Sequence, residues 1–478
     1  MSYNVLFICS DQHWRDTAGC YGHPLVKTPN IDKLAASGTM FTKAYCAAPI
    51  CVSARASMQT GQWVHQLGTW SSAEPYDGSI PGWGHRLQAQ GRTSVSIGKL
   101  HFRSSQDNNG FSREIIPVHI LNGIGFTSSM VRDRMSPYEA NKDFANDIGR
   151  GESRYTHYDR KVCELTCEWL REQAPKLDQP WTLFTSFVAP HHPIVAPDVF
   201  YDLYNRNDID MPRLRAPGER PNHPVLDVTT TVYDYDRHFR DEEHIREARL
   251  SYYGYVSFLD DNIGKVLSAL EACGQADNTL IIYTSDHGEM LGNHGMWAKM
   301  NMYEESAAIP LIAAGPGMPA AARCDAPASH VDFQQTILKA HDLNEMHADK
   351  ELPGVALQDL CQGGHDERGV ISEFHESGAI TGMFMLRWRN WKYIAYPGYP
   401  PQLFDMDADP IEADDLARTP IHADTVKLCD SKLREILNPD DINARCFADQ
   451  HRKIEALGGR EAALDDGAHA YTPMPDVS

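Results

Sequence analysis

Residues 49–61 read PICVSARASMQTG, and they set a cysteine, Cys51, four residues before an arginine, Arg55. Pro49–Ser53 reads as a loop leading into a helix, with Ser53 placed to act as its N-cap. Cys51 would then lie at the positive end of a helix dipole beside Arg55, an environment that favours an anion or a thiolate. Read alone, a buried structural cysteine beside an exposed arginine explains the segment equally well. Other segments carry groups that bind cations or move protons. They are Ser10-Asp11-Gln12-His13, Gly98-Lys99-Leu100-His101, Pro190-His191-His192-Pro193 and Ser285-Asp286-His287-Gly288, with Lys299 further on. Asp11 and Asp286 are hard oxygen donors, Gln12 is a neutral oxygen donor and His287 a nitrogen donor; together they could hold one divalent cation. Predominantly oxygen ligation favours Ca²⁺ or Mg²⁺ over zinc, and His287 keeps Mn²⁺ in the set. Lys99, His101, His191 and Lys299 supply positive charge and proton donors. A metal among cationic side chains is what a tetrahedral dianion or its transition state requires. His192 reads as structural, with His191 the reactive member of the pair.

The four paired segments each follow a short apolar or β-branched run. Val5–Cys9, Thr93–Ile97, Thr182–Val188, Leu280–Thr284 and Pro310–Ala313 have the length and composition of buried strands in a largely parallel sheet. Helical patterns lie between them, at Asn30–Ser37, Tyr158–Gln173 and Glu243–Cys273. The alternation predicts an α/β fold, a large, mostly parallel (mixed) sheet sandwiched by helices. In such sheets ligands bind at the carboxyl ends of the strands. Four reactive strand ends in one chain favour a shared site over four separate caps or turns. Leu203–Arg240 is rich in Pro, Arg and Asp, lacks periodicity, and reads as a functional or wrapping loop. From Gly369 the segments GVISEF, MFMLRWRN and WKYIAY alternate like short antiparallel strands. The expected organisation is a catalytic domain over 1–365 and a small C-terminal α+β lobe over 366–440, its last helix near Thr425–Leu437. A polar tail over 441–478 follows, either packed on a neighbouring subunit of a homo-oligomer or loose.

The formal net charge of −21 excludes a sequence-independent grip on nucleic acid and requires any anion site to be a local cluster of cations. The start, MSYNVLFICSDQ, lacks the basic region and small-residue cleavage site of a signal peptide. No apolar run approaches the roughly twenty residues of a membrane span. The 11 cysteines are odd in number and scattered, and Cys163 and Cys167, four apart on a predicted helix, read as packing residues. A reduced, cytoplasmic protein fits this pattern.

Taken together, these segments resemble the blocks of the formylglycine-dependent sulfatase family. In its signature a Cys, followed two residues later by Pro or Ala and at the fifth position by Arg, directs oxidation of the first residue to formylglycine. Cys51, Arg55 and Thr60-Gly61 match, while Ser53 stands where the family has Pro or Ala. Ser10-Asp11-Gln12 resembles the first metal block, GKLHF (98–102) the lysine–histidine block and APHHP (189–193) the catalytic-histidine block. SDHGEMLGNHGMWAKMNMYEES (285–306) resembles the second metal block with its lysine, and PQLFDMDADPIEADDLA (401–417) the C-terminal segment. The resemblance spans nearly the whole chain. It looks closest to choline-sulfatase-like members, and the related phosphonate monoesterases share Gln12 and His287.

The resemblance implies an alkaline-phosphatase-like fold and hydrolysis of a sulfate monoester to inorganic sulfate and an alcohol or phenol. It implies one divalent cation, Ca²⁺ first, held by Asp11, Gln12, Asp286, His287 and residue 51. It implies maturation of Cys51 by a formylglycine-generating enzyme. Hydrated formylglycine would attack sulfur, with Arg55 and Lys99 holding the diol. His191 and Lys299 would contact the sulfate and protonate the departing alcohol, and His101 would take a proton from the second hydroxyl. Two alternatives stay open: a phosphonate monoester or phosphodiester hydrolase on the same site, and an unmodified, non-catalytic homologue that binds an anion. The alcohol part is not legible. Trp63, Trp70, Trp83 and Trp297 lie near the site segments and are expected to fill core or line the cleft.

Overall fold

The apolar runs that read as strands are strands, most of them bounded a residue or two differently from the expectation. The computed structural model describes residues 2–343, 351–465, 472, 474 and 475. Strands β1 (Asn4–Ser10), β2 (Thr39–Phe41), β3 (Thr93–Lys99), β4 (Arg113–Val118), β5 (Trp181–Ser186), β6 (Thr279–Ser285), β7 (Leu311–Ala314) and β8 (Ala322–Cys324) form one sheet in the order β8-β2-β7-β6-β1-β5-β3-β4. The block β6-β1-β5-β3-β4 is parallel, as the apolar runs predict. The run at 310–313 departs from that pattern: β7 is antiparallel to both β6 and β2, which makes the sheet mixed.

Both faces of the sheet are covered, because consecutive side chains on a strand point to opposite sides. Val5, Phe7 and Cys9 join a core with Met58, Phe333 and Ile337, on helices α1 (Cys51–Thr60) and α2 (Asp332–Ala340). Phe7 meets Phe184 and Phe333 edge-to-face at 5.0 and 4.9 Å. Leu6 and Ile8 join the opposite core with Val162, Leu170, Leu259 and Ile263, on helices α3 (Arg154–Glu172) and α4 (Glu242–Ala272). The register aligns the carboxyl ends of the parallel block: Ser10 pairs with Ser285, Cys9 with Ser186, and Gly98 with Ser186. The four reactive segments therefore leave the sheet side by side.

The C-terminal strands β9 (Val370–Phe374), β10 (Met383–Trp388), β11 (Trp391–Ala395) and β12 (Gln402–Asp405) form the expected antiparallel sheet. A helix over Ala423–Arg434 follows. A buried ion pair ties this lobe to the rest: Lys392 Nζ lies 2.7 Å from Glu304, and within the lobe 2.8 Å from Glu412. The stretch expected to be one long loop holds a helix, Pro224–Val232. Its three consecutive threonines disguise it, since β-branched residues carry weak helix propensity, while Pro224 at the first position and His223 as N-cap start it.

The tail is helical over Pro439–Ala456, and this helix makes contacts within the chain itself. Arg445 donates to the His65 carbonyl, Gln450 Nε2 to the His375 carbonyl at 2.9 Å, and Lys453 pairs with Glu74 at 2.9 Å. These polar partners lie far away in the sequence, so they could not be read from it. Most of the tail beyond Asp465 lies outside the described residues. Among the described residues no helix is long and apolar enough to cross a membrane.

Candidate active site

Cys51 is the first residue of α1, and Ile50 takes the N-cap position. Ser53 is therefore not the cap: it lies in the first turn, and its Oγ donates to the Thr69 carbonyl at 2.6 Å. Every residue of α1 is buried, Cys51 to 4 % exposure. The expectation of a thiolate fails for a related reason. Burial pushes the Cys51 thiol up to about 12, Asp11 adds to that, and the pull of Lys299 and Lys99 does not offset it.

Around Cys51 stand the donors from two strand ends. Ligand atoms of Asp11, Cys51, Asp286 and His287 all lie within 4.8 Å of one another, and all four residues are buried. Cys51 Sγ is 3.0 Å from His287 Nε2 and 3.6 Å from Asp11 Oδ1. The His287 Nδ1–H donates to the Gly288 carbonyl at 3.1 Å, which leaves the Nε2 lone pair facing the cluster. Gly288 has no substitute here, since a Cβ would stand 2.0 Å from the Glu305 carbonyl oxygen. Gln12 enters from β1 with φ 66, its N–H donating to Asp286 Oδ1 at 3.1 Å.

Cations surround this cluster. Arg55 Nε donates to Asp286 Oδ2 at 2.8 Å and Nη2 to Asp11 Oδ2 at 3.1 Å, while Lys99 Nζ lies 2.6 Å from Asp11 Oδ2. Burial opposes ionisation of Asp11, but Lys99 and Arg55 hold its carboxyl well below the usual range. Asp286 is raised by burial and by the Asp11 charge, which outweigh Arg55. Two buried carboxylates that resist joint ionisation, beside an unprotonated imidazole, are a donor set that fits a divalent cation.

The remaining predicted residues converge on the same place. Lys299 Nζ donates to Gln12 Oε1 at 2.5 Å and to His191 Nε2 at 3.1 Å. His191 Nδ1–H donates to the His192 carbonyl at 2.6 Å. Burial, then Lys299, holds the His191 imidazole neutral. His101 is likewise held neutral by burial and by Lys99; its Nε2 pairs with Thr472 Oγ1 at 2.8 Å, and its Nδ1 has no partner among the described residues. Left-handed φ values mark non-glycine residues at this site, Gln12, His101, Ala298 (61°) and Met300 (75°), the last two flanking Lys299. His192 is structural as expected, stacked on Phe144 at 4.6 Å with Nε2 donating to the Asp143 carbonyl.

The family model for sulfatases matches residues 3–343, and that for the C-terminal region of N-sulphoglucosamine sulphohydrolase matches 292–438. The chain belongs to the sulfatase family. It is a sulfuric ester hydrolase. This sulfatase is 30% identical over 399 residues to the choline-sulfatase of Rhizobium meliloti, covering 82% of this chain and 78% of that one. It is 28% identical over 470 residues to arylsulfatase K of Bos taurus, covering 92% and 83%. Its fold is similar to that of the phosphonate monoester hydrolase of Agrobacterium radiobacter, with a TM-score of 0.74, 24% identity and coverage of 93% and 96%.

In this sulfatase the cluster opens into a cavity of about 490 Å³. One wall is a ladder of rings: Phe144 against Tyr235 (4.5 Å), Tyr235 against Tyr233 (6.2 Å), Tyr233 against Tyr138 (5.6 Å), with Arg134 over Tyr138 at 4.0 Å. Glu376 also lines the cavity, buried, and accepts from the N–H and the Oγ of Ser72. None of the four tryptophans noted near the site segments lines it; each is at most 3 % exposed and fills core. Sequence reasoning missed Glu376, Asp159 and Glu289. Asp159 lies inside α3 and accepts the N–H groups of Val188 and Ala189, just before His191, at 2.8 and 2.7 Å. Of the three, Glu289 stood within a segment singled out for its chemistry, two residues after His287, and Asp159 within one read only as a helix.

Proposed function

We propose that this sulfatase cleaves sulfate monoesters with formylglycine at position 51 as nucleophile and one divalent cation held by Asp11, Gln12, Asp286 and His287. The observation that carries the reading is the gathering of the Asp11, Cys51, Asp286 and His287 donor atoms within 4.8 Å. The oxygen-rich set favours Ca²⁺, with Mg²⁺ and Mn²⁺ as the other candidates. When bound, the cation polarises the ester oxygens and acidifies a hydroxyl beside it, while the aldehyde at 51 supplies that hydroxyl as a hydrate. The unmodified thiol, raised to about 12, is a poor nucleophile at neutral pH, which supports the need for this modification.

The chain's own groups do the rest. Arg55 and Lys99 offset negative charge gathered near Asp11 and residue 51. Lys299 hands a proton to the departing alkoxide, and His191, neutral with Nε2 on the ammonium, shares that proton. His101, neutral and with Nδ1 lacking a partner among the described residues, takes a proton from the remaining hydroxyl of the sulfated hydrate, whose C–O bond to sulfate breaks to release sulfate and return the aldehyde. Maturation requires a formylglycine-generating enzyme as partner. The 11 unpaired cysteines support a reducing, cytoplasmic setting.

The alcohol part carries a cation in this reading. Aromatic faces and the Glu376 carboxylate suit an ammonium group, and the similarity to a choline-sulfatase agrees. The second reading, hydrolysis of phosphonate monoesters or phosphodiesters, is favoured by the fold shared with a phosphonate monoester hydrolase. Protein coexpressed with a formylglycine-generating enzyme tests both. Choline sulfate, an aryl sulfate, a phosphodiester and a phosphonate ester are compared by kcat/KM, and the peptide covering residue 51 is weighed. An aldehyde mass with sulfate esters ahead supports the proposal; a thiol mass with no turnover leaves the unmodified, anion-binding homologue.

A further inference from the structure

Glu289 is fully buried, and each of its oxygens has a distinct task. Oε1 accepts the N–H of Leu291 at 2.9 Å and that of Ala298 at 2.7 Å, closing the turn that carries Lys299. Oε2 accepts from Gln12 Nε2 at 2.5 Å. The other end of the same amide, Gln12 Oε1, receives the Lys299 ammonium. A primary amide has an acceptor end and a donor end of nearly equal size, so packing alone does not choose its orientation. Glu289 does choose: with Oε1 taken by two backbone N–H groups, its Oε2 accepts the amide nitrogen of Gln12 and leaves the oxygen to face Lys299.

We propose that Glu289 is a positioning residue that locks the Gln12 amide with its oxygen toward Lys299 and the cation, and ties that ligand to the Lys299 turn through one carboxylate. The inference rests on the metal reading given above. It makes a specific demand on a near-isosteric variant. In Glu289→Gln the Oε1 position still accepts both backbone N–H groups, so the turn is retained. The new amide nitrogen then faces Gln12 and forces it to invert, setting an NH₂ donor beside the ammonium and the cation. A second change restores the pattern: in Gln12→Glu with Glu289→Gln, the carboxylate at 12 accepts from the amide at 289 and keeps an oxygen for the cation, at unchanged net charge.

Calcium titration by calorimetry on the metal-stripped full chain, with the thermal midpoint of each stripped protein, tests this. Glu289→Gln is expected to bind Ca²⁺ about 10–100-fold more weakly at a near-wild-type midpoint. The double variant is expected to recover most of the affinity. Because both proteins carry the same residue at 289, recovery separates amide orientation from damage to the fold. Wild-type affinity in Glu289→Gln, or a loss that the double variant does not reverse, overturns the inference. A wild-type chain that binds no divalent cation overturns the metal reading along with it, a result read from the wild-type titration alone.

Discussion

His287 Nε2 stands 3.0 Å from Cys51 Sγ, with its own Nδ1–H spent on the Gly288 carbonyl. A backbone hydrogen bond thus fixes the tautomer, and a lone pair faces the position from which a nucleophile would act. Burial, with Lys299 adding, keeps that ring neutral. The same relationship places residue 51 among the donors of the candidate metal cluster. Relative to matured wild type, Cys51→Ala is expected to lower kcat by at least about 10⁴-fold, as measured on choline sulfate and an aryl sulfate.

Chelation provides a test of the donor set. EDTA treatment is expected to abolish turnover and lower the thermal midpoint, since the Asp11 and Asp286 carboxylates then face each other without a cation between them. Activity should return with Ca²⁺, less with Mg²⁺ or Mn²⁺, and not with Zn²⁺. Restoration by zinc ahead of calcium would count against oxygen-dominated ligation.

Lys299 bridges Gln12 and His191. If it protonates the leaving group, its loss must hurt poor leaving groups most. Lys299→Ala is expected to cost about 10²–10⁴-fold in kcat on an alkyl sulfate and much less on a nitrophenyl sulfate. Equal losses across a leaving-group series would assign Lys299 to sulfate binding alone.

Burial raises the Glu376 carboxyl to about 7, above its ordinary value of 4.5. The sign follows. Its ionisation weighs on the fold increasingly from pH 4.5 to about 7, then by a constant amount above that. Glu376→Gln should therefore gain stability over wild type across that window, reaching on the order of 1–3 kcal/mol above it. In the wild type, KM for choline sulfate should fall as pH rises through about 7, when the carboxylate forms. The variant should lose that dependence, and KM for a neutral aryl sulfate should lack it in both proteins.

Asp159 holds the two N–H groups that precede the Pro190-His191 turn. Asp159→Ala leaves both buried donors without an acceptor, an expected cost of about 2–5 kcal/mol by denaturant unfolding. The loss in kcat/KM should exceed that of a surface control, because His191 loses its anchor. Asp159→Asn, which keeps one acceptor, should be milder on both counts.

Much of this protein was legible in its sequence because the signals are local. Apolar runs of strand length ending in Asp11, Lys99, His191 and Asp286 marked the sheet and its reactive edge, and every residue named there stands at one site. Local signals also misled. The Ser53 cap and the Cys51 thiolate follow from helix-end rules, yet α1 starts three residues earlier and is wholly buried, so desolvation outweighs the dipole.

What the sequence by itself determined, then, was the chemistry available and the strand ends that carry it, since residue type and period-two burial are properties of short segments. Only the tertiary structure decided which way the Gln12 amide faces, what holds the His191 turn, and that Glu376 and a run of four aromatic rings line the cavity beyond the cluster. Those outcomes depend on partners up to hundreds of residues apart, brought together by close packing around one sheet, and no window of sequence contains both members of such a pair.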